Sequence, residues 1–235
     1  VFIDPNSLAQ NLDRLEGIEK GTVRLVSQAL YEFRGEAVQR FAEADDLPAD
    51  IAEDTTRDAL DSIGVSRINE RLRGKIDYKR ARFVFNKEYA VRQAMFVDSK
   101  AEKEAGTITI QTSQTSMKIQ YIGKGGTVVD EQGTLPSVIG ANPNSLLSTT
   151  VMVKYLYAEI GKVFSLSEII VIGLPSGMLQ AVYNPTPQDT IFQAGRHAPT
   201  LGEAFRTRVS IGNLKQKMPW RVQTIPAAGD FQWAE

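Results

Sequence analysis

The stretch Ala94-Met95-Phe96-Val97-Asp98-Ser99-Lys100 joins four apolar residues to a charged tripeptide, and the fold is read outward from it. A continuous apolar run of this kind predicts a strand covered on both faces, as in the middle of an α/β sheet. It delivers Asp98 at its carboxyl end. Side chains two apart on a strand share a face, so Asp98 and Lys100 project together while Ser99 points away. A charge placed where a buried strand stops needs a partner, and a metal ion is one. An isolated Asp-x-Lys also fits a strand end that merely meets polar loop residues, so the rest of the chain has to decide.

The chain has 235 residues, 42% hydrophobic and 23% charged, enough for the core of one large domain or two small ones. It has neither a membrane-length apolar run nor a signal-like amino terminus, so secretion and insertion are not expected. With no cysteine, disulfides and thiolate zinc sites are excluded, which fits a reducing cytoplasm. The single histidine, His197, argues against His-rich metal sites and His-based triads. A hydrolytic metal would therefore be held by carboxylates and carbonyls, which suits Mg²⁺.

Net charge is −1, but it is unevenly spread. Between Glu36 and Asp61 nine acids face only Arg40 and Arg57, and between Arg67 and Arg92 nine bases face Glu70, Asp77 and Glu88. A second basic stretch holds Arg196, Arg206, Arg208, Lys215, Lys217 and Arg221. Local fields decide phosphate binding, so a basic cleft on an acidic body is compatible with a near-neutral total.

The first sixty-odd residues read as helical. Asn6 or Ser7 can cap a helix to about Lys20, Gly21-Thr22 restarts a longer one, and Pro48 begins a third that Gly64 ends. Beyond residue 80 strands take over. Arg82 to Phe85 and Val91 to Val97 are neighbours joined by a turn at Asn86-Lys87-Glu88. Thr107 to Gln111 fits a strand or a helix entry, and Gly123-Lys124-Gly125-Gly126 is a turn lacking the spacing of a phosphate-binding loop. Val151 to Tyr157, Ile169 to Leu174 and the alternating Phe205 to Ile211 are further strands. No repeat or low-complexity linker divides them, so one α/β domain is expected: a mainly helical region at 1–64, a core at 75–175 and a distal segment at 176–235.

Two constellations carry chemistry. Asp77, flanked by Lys75, Lys79 and Arg80, reads as a surface ion pair when taken alone. Beside Asp98 and Lys100 it becomes a second Mg²⁺ ligand for phosphodiester hydrolysis. Lys100 would orient water and offset charge on the phosphoryl oxygens, and the Ser99 carbonyl would be a third ligand. Glu53 or Asp54 could add an outer contact, although solvated helix faces are often acidic. In Arg206-Thr207-Arg208, both arginines face the same way on a strand, about 7 Å apart. Arginine makes the bidentate contact to guanine in the major groove, which a β-ribbon carrying such a pair can read. Two bases on an exposed strand face are the plainer reading. Arg196-His197 could add a base or phosphate contact, or be a surface pair.

Asp77, twenty intervening residues and then Asp98-Ser99-Lys100 resemble the PD-(D/E)XK nuclease signature. The words Ile76-Asp77-Tyr78-Lys79-Arg80, Val97-Asp98-Ser99-Lys100-Ala101, Tyr183-Asn184-Pro185 and Ala194-Gly195-Arg196-His197-Ala198-Pro199 narrow it. With Gly202-Glu203, Arg206-Thr207-Arg208-Val209 and Pro219-Trp220-Arg221, they resemble the SfiI-like type II restriction endonucleases, with BglI a more distant relative. The similarity runs from about Asn11 to about Ile225, and 103–147 matches poorly. Isoleucine replaces the proline of the "PD" element, and Asp98 stands where glutamate is commoner.

The resemblance implies a PD-(D/E)XK core, a central mixed β-sheet flanked by helices with an N-terminal helical region. It implies a Mg²⁺-dependent endonuclease leaving 5′-phosphate and 3′-hydroxyl ends at a GC-containing, palindromic or interrupted site, in a prokaryotic cytoplasm. Asp77, Asp98 and Lys100 would be catalytic. Arg206 and Arg208, with Arg196 as a weaker candidate, would read G·C pairs in the major groove. His197, Lys79 and Arg80 are further DNA-binding candidates. A two-fold site calls for a homodimer; a tetramer is the alternative, disfavoured by the short chain after Trp233. The rival readings are a structure-specific repair or recombination nuclease of the same superfamily and a non-catalytic DNA-binding protein.

Overall fold

The computed structural model describes residues 2–43, 47–68, 81–161, 163–195 and 207–235. A short 3-10 helix, Pro5–Gln10, is capped by Asp4, and Asn11 caps the long α1, Leu12–Glu32. The helix restart expected at Gly21 does not occur, because α1 runs straight through. Gly21 and Gly17 lie one turn apart and serve close packing. A Cβ on Gly17 would sit 2.5 Å from the Tyr89 hydroxyl, and one on Gly21 3.2 Å from Asn86 Nδ2. The remaining helices of this region are α2, Arg34–Glu43, and α3, Pro48–Ser62, with Pro48 in its first turn and Gly64 at positive φ beyond its end.

The main sheet is mixed. Strands β1 (Ala81–Asn86) and β2 (Val91–Glu102) form the expected hairpin. Then come β3 (Thr107–Ile110), the hairpin β4 (Lys118–Ile122) and β5 (Val128–Gln132), and the short β6 (Val138–Ile139). The long β7 (Leu146–Ile160) and β8 (Val163–Leu174) precede a single helical turn, α4, Gln180–Tyr183. The chain closes with β9 (Phe192–Ala194), β10 (Thr207–Ser210), α5 (Ile211–Lys217) and β11 (Val222–Pro226). The sheet order is β1-β2-β7-β8-β11, with β2 and β7 parallel and the other pairs antiparallel. Strands β3, β10 and β9 form a second sheet. Ile211, expected in the last alternating strand, instead opens α5, because the Ser210 hydroxyl caps it by accepting from the Asn213 amide.

Alternation sorts the two faces. Met95 and Val97 of β2, Val151, Val153 and Tyr155 of β7, and Val171 of β8 pack with Val26, Phe41 and Leu60 of the three helices. On the opposite face Met152 and Ile172 pack with Ile108 of β3, Ile119 of β4 and Val209 of β10. The helices therefore cover one face of the main sheet and the smaller sheets cover the other.

Many charges that looked available for phosphate are used internally. Arg82 is buried and donates to Asp61 and to the carbonyls of Val65 and Arg57. Burial works against ionising Asp61, but Arg67 and Arg82 outweigh it and hold the carboxyl below its ordinary range. On the acidic helices Asp58 pairs with Arg40 and Arg57. Lys217 pairs with Asp189, and Arg221 is fully enclosed. Burial pattern decided these roles, and residue type alone could not. No helix among the described residues is long and apolar enough to cross a membrane.

Candidate active site

Strand β2 carries the centre of the site, and it continues four residues past Asp98 instead of stopping there. The parallel ladder with β7 runs on to Glu102 opposite Leu156, so Asp98 and Lys100 are held in register by a central strand. On the other side β1 pairs with β2 only as far as Ala81 opposite Phe96. Among the described residues no strand flanks Asp98 to Glu102 on that side.

The expected division of faces holds. Lys100 Nζ lies 2.7 Å from Asp98 Oδ2, and the Asp98 side chain is 7% exposed against 33% for Lys100. The Asp98 side chain is thus held in place by burial, while the more exposed Lys100 side chain has room to move. Ser99 points the opposite way: its hydroxyl donates to Thr56 Oγ1 at 2.7 Å, and that oxygen lies 2.8 Å from the Tyr155 hydroxyl. Burial pushes the Tyr155 phenol well above its ordinary pKa, so it stays a neutral hydrogen-bonding group. Residue type alone did not reveal this hydroxyl chain, which ties β2 and β7 to α3 behind the site. Glu53 lies on α3, one turn before Thr56, with its side chain exposed on the helix that covers the Ser99 face.

Of the base-reading candidates, Arg208 is described. It sits on β10 opposite Thr109 of β3 and Gln193 of β9. Its Nη1 donates to Thr107 Oγ1 at 3.0 Å and lies 3.9 Å from Glu104 Oε2. Asp77, Lys79, Arg80, Arg196, His197 and Arg206 lie outside the described residues.

Two further features escaped the sequence reading. Lys154, inside the apolar run of β7, is fully buried and bonded to Glu102. A lone lysine in a strand of that composition was a usable signal. The other is the buried group around Arg221. Its guanidinium lies 2.6 Å from Glu19 and between the rings of Trp220 and Tyr183, with centroids at 4.3 and 4.4 Å. Asn184 meanwhile donates to the Lys118 carbonyl. The words Tyr183-Asn184-Pro185 and Pro219-Trp220-Arg221 thus include core contacts.

Residues 7–225 match the family model for the type II restriction enzyme SfiI. The chain is 34% identical over 239 residues to the type II restriction enzyme SfiI of Streptomyces fimbriatus, covering 96% of this chain and 89% of that protein. Its structure resembles that of tetrameric restriction endonuclease SfiI bound to cognate DNA. The TM-score is 0.83 at 32% identity, over 96% of this chain and 89% of that one. It also resembles restriction endonuclease BglI bound to its DNA recognition sequence, with a TM-score of 0.77 over 96% and 95% of the two chains. At 16% identity the second likeness is one of fold. Agreement of family, sequence and fold over nearly the whole chain makes it a member of the type II restriction enzyme SfiI family.

Proposed function

We propose that this chain cuts both strands of duplex DNA at a specific GC-containing, palindromic or interrupted site, leaving 5′-phosphate and 3′-hydroxyl ends. The observation that carries the reading is the Asp98–Lys100 pair, 2.7 Å apart on one face of a central strand. The donor set fits Mg²⁺: a buried carboxylate, a chain without cysteine and a single histidine leave hard oxygen ligands. Asp98, Asp77 and the Ser99 carbonyl would hold the ion, with Glu53 as an outer candidate. Asp77 enters this set from its place in the sequence, four residues before Ala81, the first residue of β1.

When bound, the ion supplies Lewis-acid stabilisation of the phosphoryl oxygens and acidifies water. Lys100 is free to swing from Asp98 toward the reacting phosphate, where its ammonium orients the attacking water and offsets growing negative charge. The strand ladder and the Ser99–Thr56–Tyr155 hydroxyls keep Asp98 and Lys100 from drifting as that charge develops.

Base reading falls to Arg208, with Arg206, Arg196 and His197 as further candidates, while Lys79 and Arg80 contact phosphates. The partner of Arg208 at rest, Glu104, is exposed and 3.9 Å away, a weak pair that a guanine edge can replace. A two-fold site calls for a homodimer, and the solved SfiI relative is tetrameric.

Unmethylated phage DNA incubated with the protein and Mg²⁺ should give discrete fragments, and a chelator should abolish them. A smear, or cleavage only of branched substrates, would favour the repair-nuclease reading. Binding without turnover in Mg²⁺ or Mn²⁺ would sink the enzyme reading. Sequencing the fragment ends gives the site. Arg208→Ala should then lose about 1–3 kcal/mol of discrimination at one G·C pair. Equal weakening on specific and random DNA would contradict base reading.

A further inference from the structure

Lys154 has no exposed surface, yet it lies directly across from Lys100 in the parallel register of β2 and β7. A buried ammonium is tolerated only when paired and hydrogen-bonded. Its Nζ donates to Glu102 Oε2 at 2.6 Å and to the Thr107 carbonyl at 2.5 Å. Glu102 is the last residue of β2 and Thr107 the first of β3. One lysine therefore grips both ends of the link 103–106, which joins the strand of Asp98 and Lys100 to the sheet of Arg208.

The recognition sheet holds the same link from its other side. The Gly106 carbonyl accepts from the Ile211 amide at 3.1 Å, where β10 turns into α5. Thr107 takes Lys154 on its carbonyl and Arg208 on its hydroxyl, and Arg208 also faces Glu104 within the link. A move of Arg208 toward a base must therefore release contacts on the link. The far end of that link is bonded, through Lys154, to a residue two positions from Lys100 on the same strand face.

We propose that Lys154 is a positioning residue that couples base reading by Arg208 to the alignment of Asp98 and Lys100. The inference rests on the functional reading of those three residues. Charge-assisted bonds at both ends make the link a stiff connection, so a correctly seated Arg208 and a correctly set catalytic strand favour one another. An uncharged side chain at 154 would leave each end to settle independently.

The test compares wild type with Lys154→Met and with Glu102→Gln/Lys154→Met, which leaves no unpaired charge behind. DNA affinity without metal and single-turnover cleavage at saturating protein are measured on the protein's own site and on that site with one G·C pair replaced. Affinity for the site should stay within about threefold, while cleavage of it falls about tenfold and the cleavage ratio between the two DNAs shrinks similarly. Lys154→Arg, which keeps a cation, should recover part of both. Unchanged cleavage and ratio would overturn the coupling. So would a proportionate loss on both DNAs that tracks a lower melting temperature, which is the signature of a merely structural lysine. Arg208→Ala separates the layers. If it keeps discrimination, base reading fails and the coupling with it; if it loses discrimination while Lys154→Met keeps it, only the coupling falls.

Discussion

Replacing Asp98 by alanine is expected to slow DNA cleavage by about three orders of magnitude or more while sequence-specific binding persists. Asp98 is 6% exposed, on a strand held in register by its parallel ladder with β7. Its loss removes the proposed ligand for the divalent ion and frees the Lys100 ammonium from its partner at 2.7 Å. Stability should change little, because Lys100 is one-third exposed and can turn to solvent. Asp98→Asn keeps the volume and removes the charge. It should be nearly as inactive as the alanine variant, with a melting temperature close to wild type. Wild-type cleavage by the asparagine variant would remove Asp98 from the chemistry.

The largest stability effect is expected at Arg221. Its guanidinium has no exposed surface, lies 2.6 Å from Glu19 and 3.5 Å from Glu16, and is stacked between two aromatic rings. Glu19 in turn accepts from the Ser176 amide at 2.9 Å, so the pair joins α1 to the segment after β8. Arg221→Met should cost about 3–5 kcal/mol in urea denaturation, mostly because Glu19 is left buried and unpaired. Glu19→Gln/Arg221→Met should lie closer to wild type, since no uncompensated charge remains.

The penalty should depend on pH in a defined sense. Burial pushes the Glu19 carboxyl above its ordinary value of 4.5, against the opposing pull of Arg221 and the Ser176 amide. A carboxyl raised in the folded state contributes stability below its unfolded pKa and loses it as pH rises through the folded one. Without the guanidinium this bias grows. The Arg221→Met deficit should therefore be greatest near neutrality and shrink as the pH falls toward 4.5. A deficit independent of pH would mean that lost packing, not the stranded carboxylate, sets the cost.

Some of this was legible from local pattern. The apolar run through Val97 identified a central strand, and strand periodicity placed Asp98 and Lys100 together with Ser99 behind them. The hairpin of β1 and β2 and the helix beginning at Pro48 also follow from short-range signals. Gly21 misled because a glycine needed for close approach to Asn86 looks, in sequence, like one that ends a helix. The strand boundary at Asp98 misled for a related reason. Charged residues ordinarily end a buried run, but here Lys154 and Glu102 neutralise one another and let the ladder continue.

By itself the sequence determined residue periodicity, the chemistry of the available donors and the Asp-Ser-Lys word, because all three depend on neighbours a few positions apart. Only the tertiary structure decided which charges are spent internally. Arg82, Arg221 and Lys154 read as bases like any others until distant segments closed around them, 21 residues away for Arg82 and Asp61 and 202 for Arg221 and Glu19. The physical reason is desolvation. Burial turns an ordinary ion pair into an obligatory one, and burial is a property of the whole packed chain.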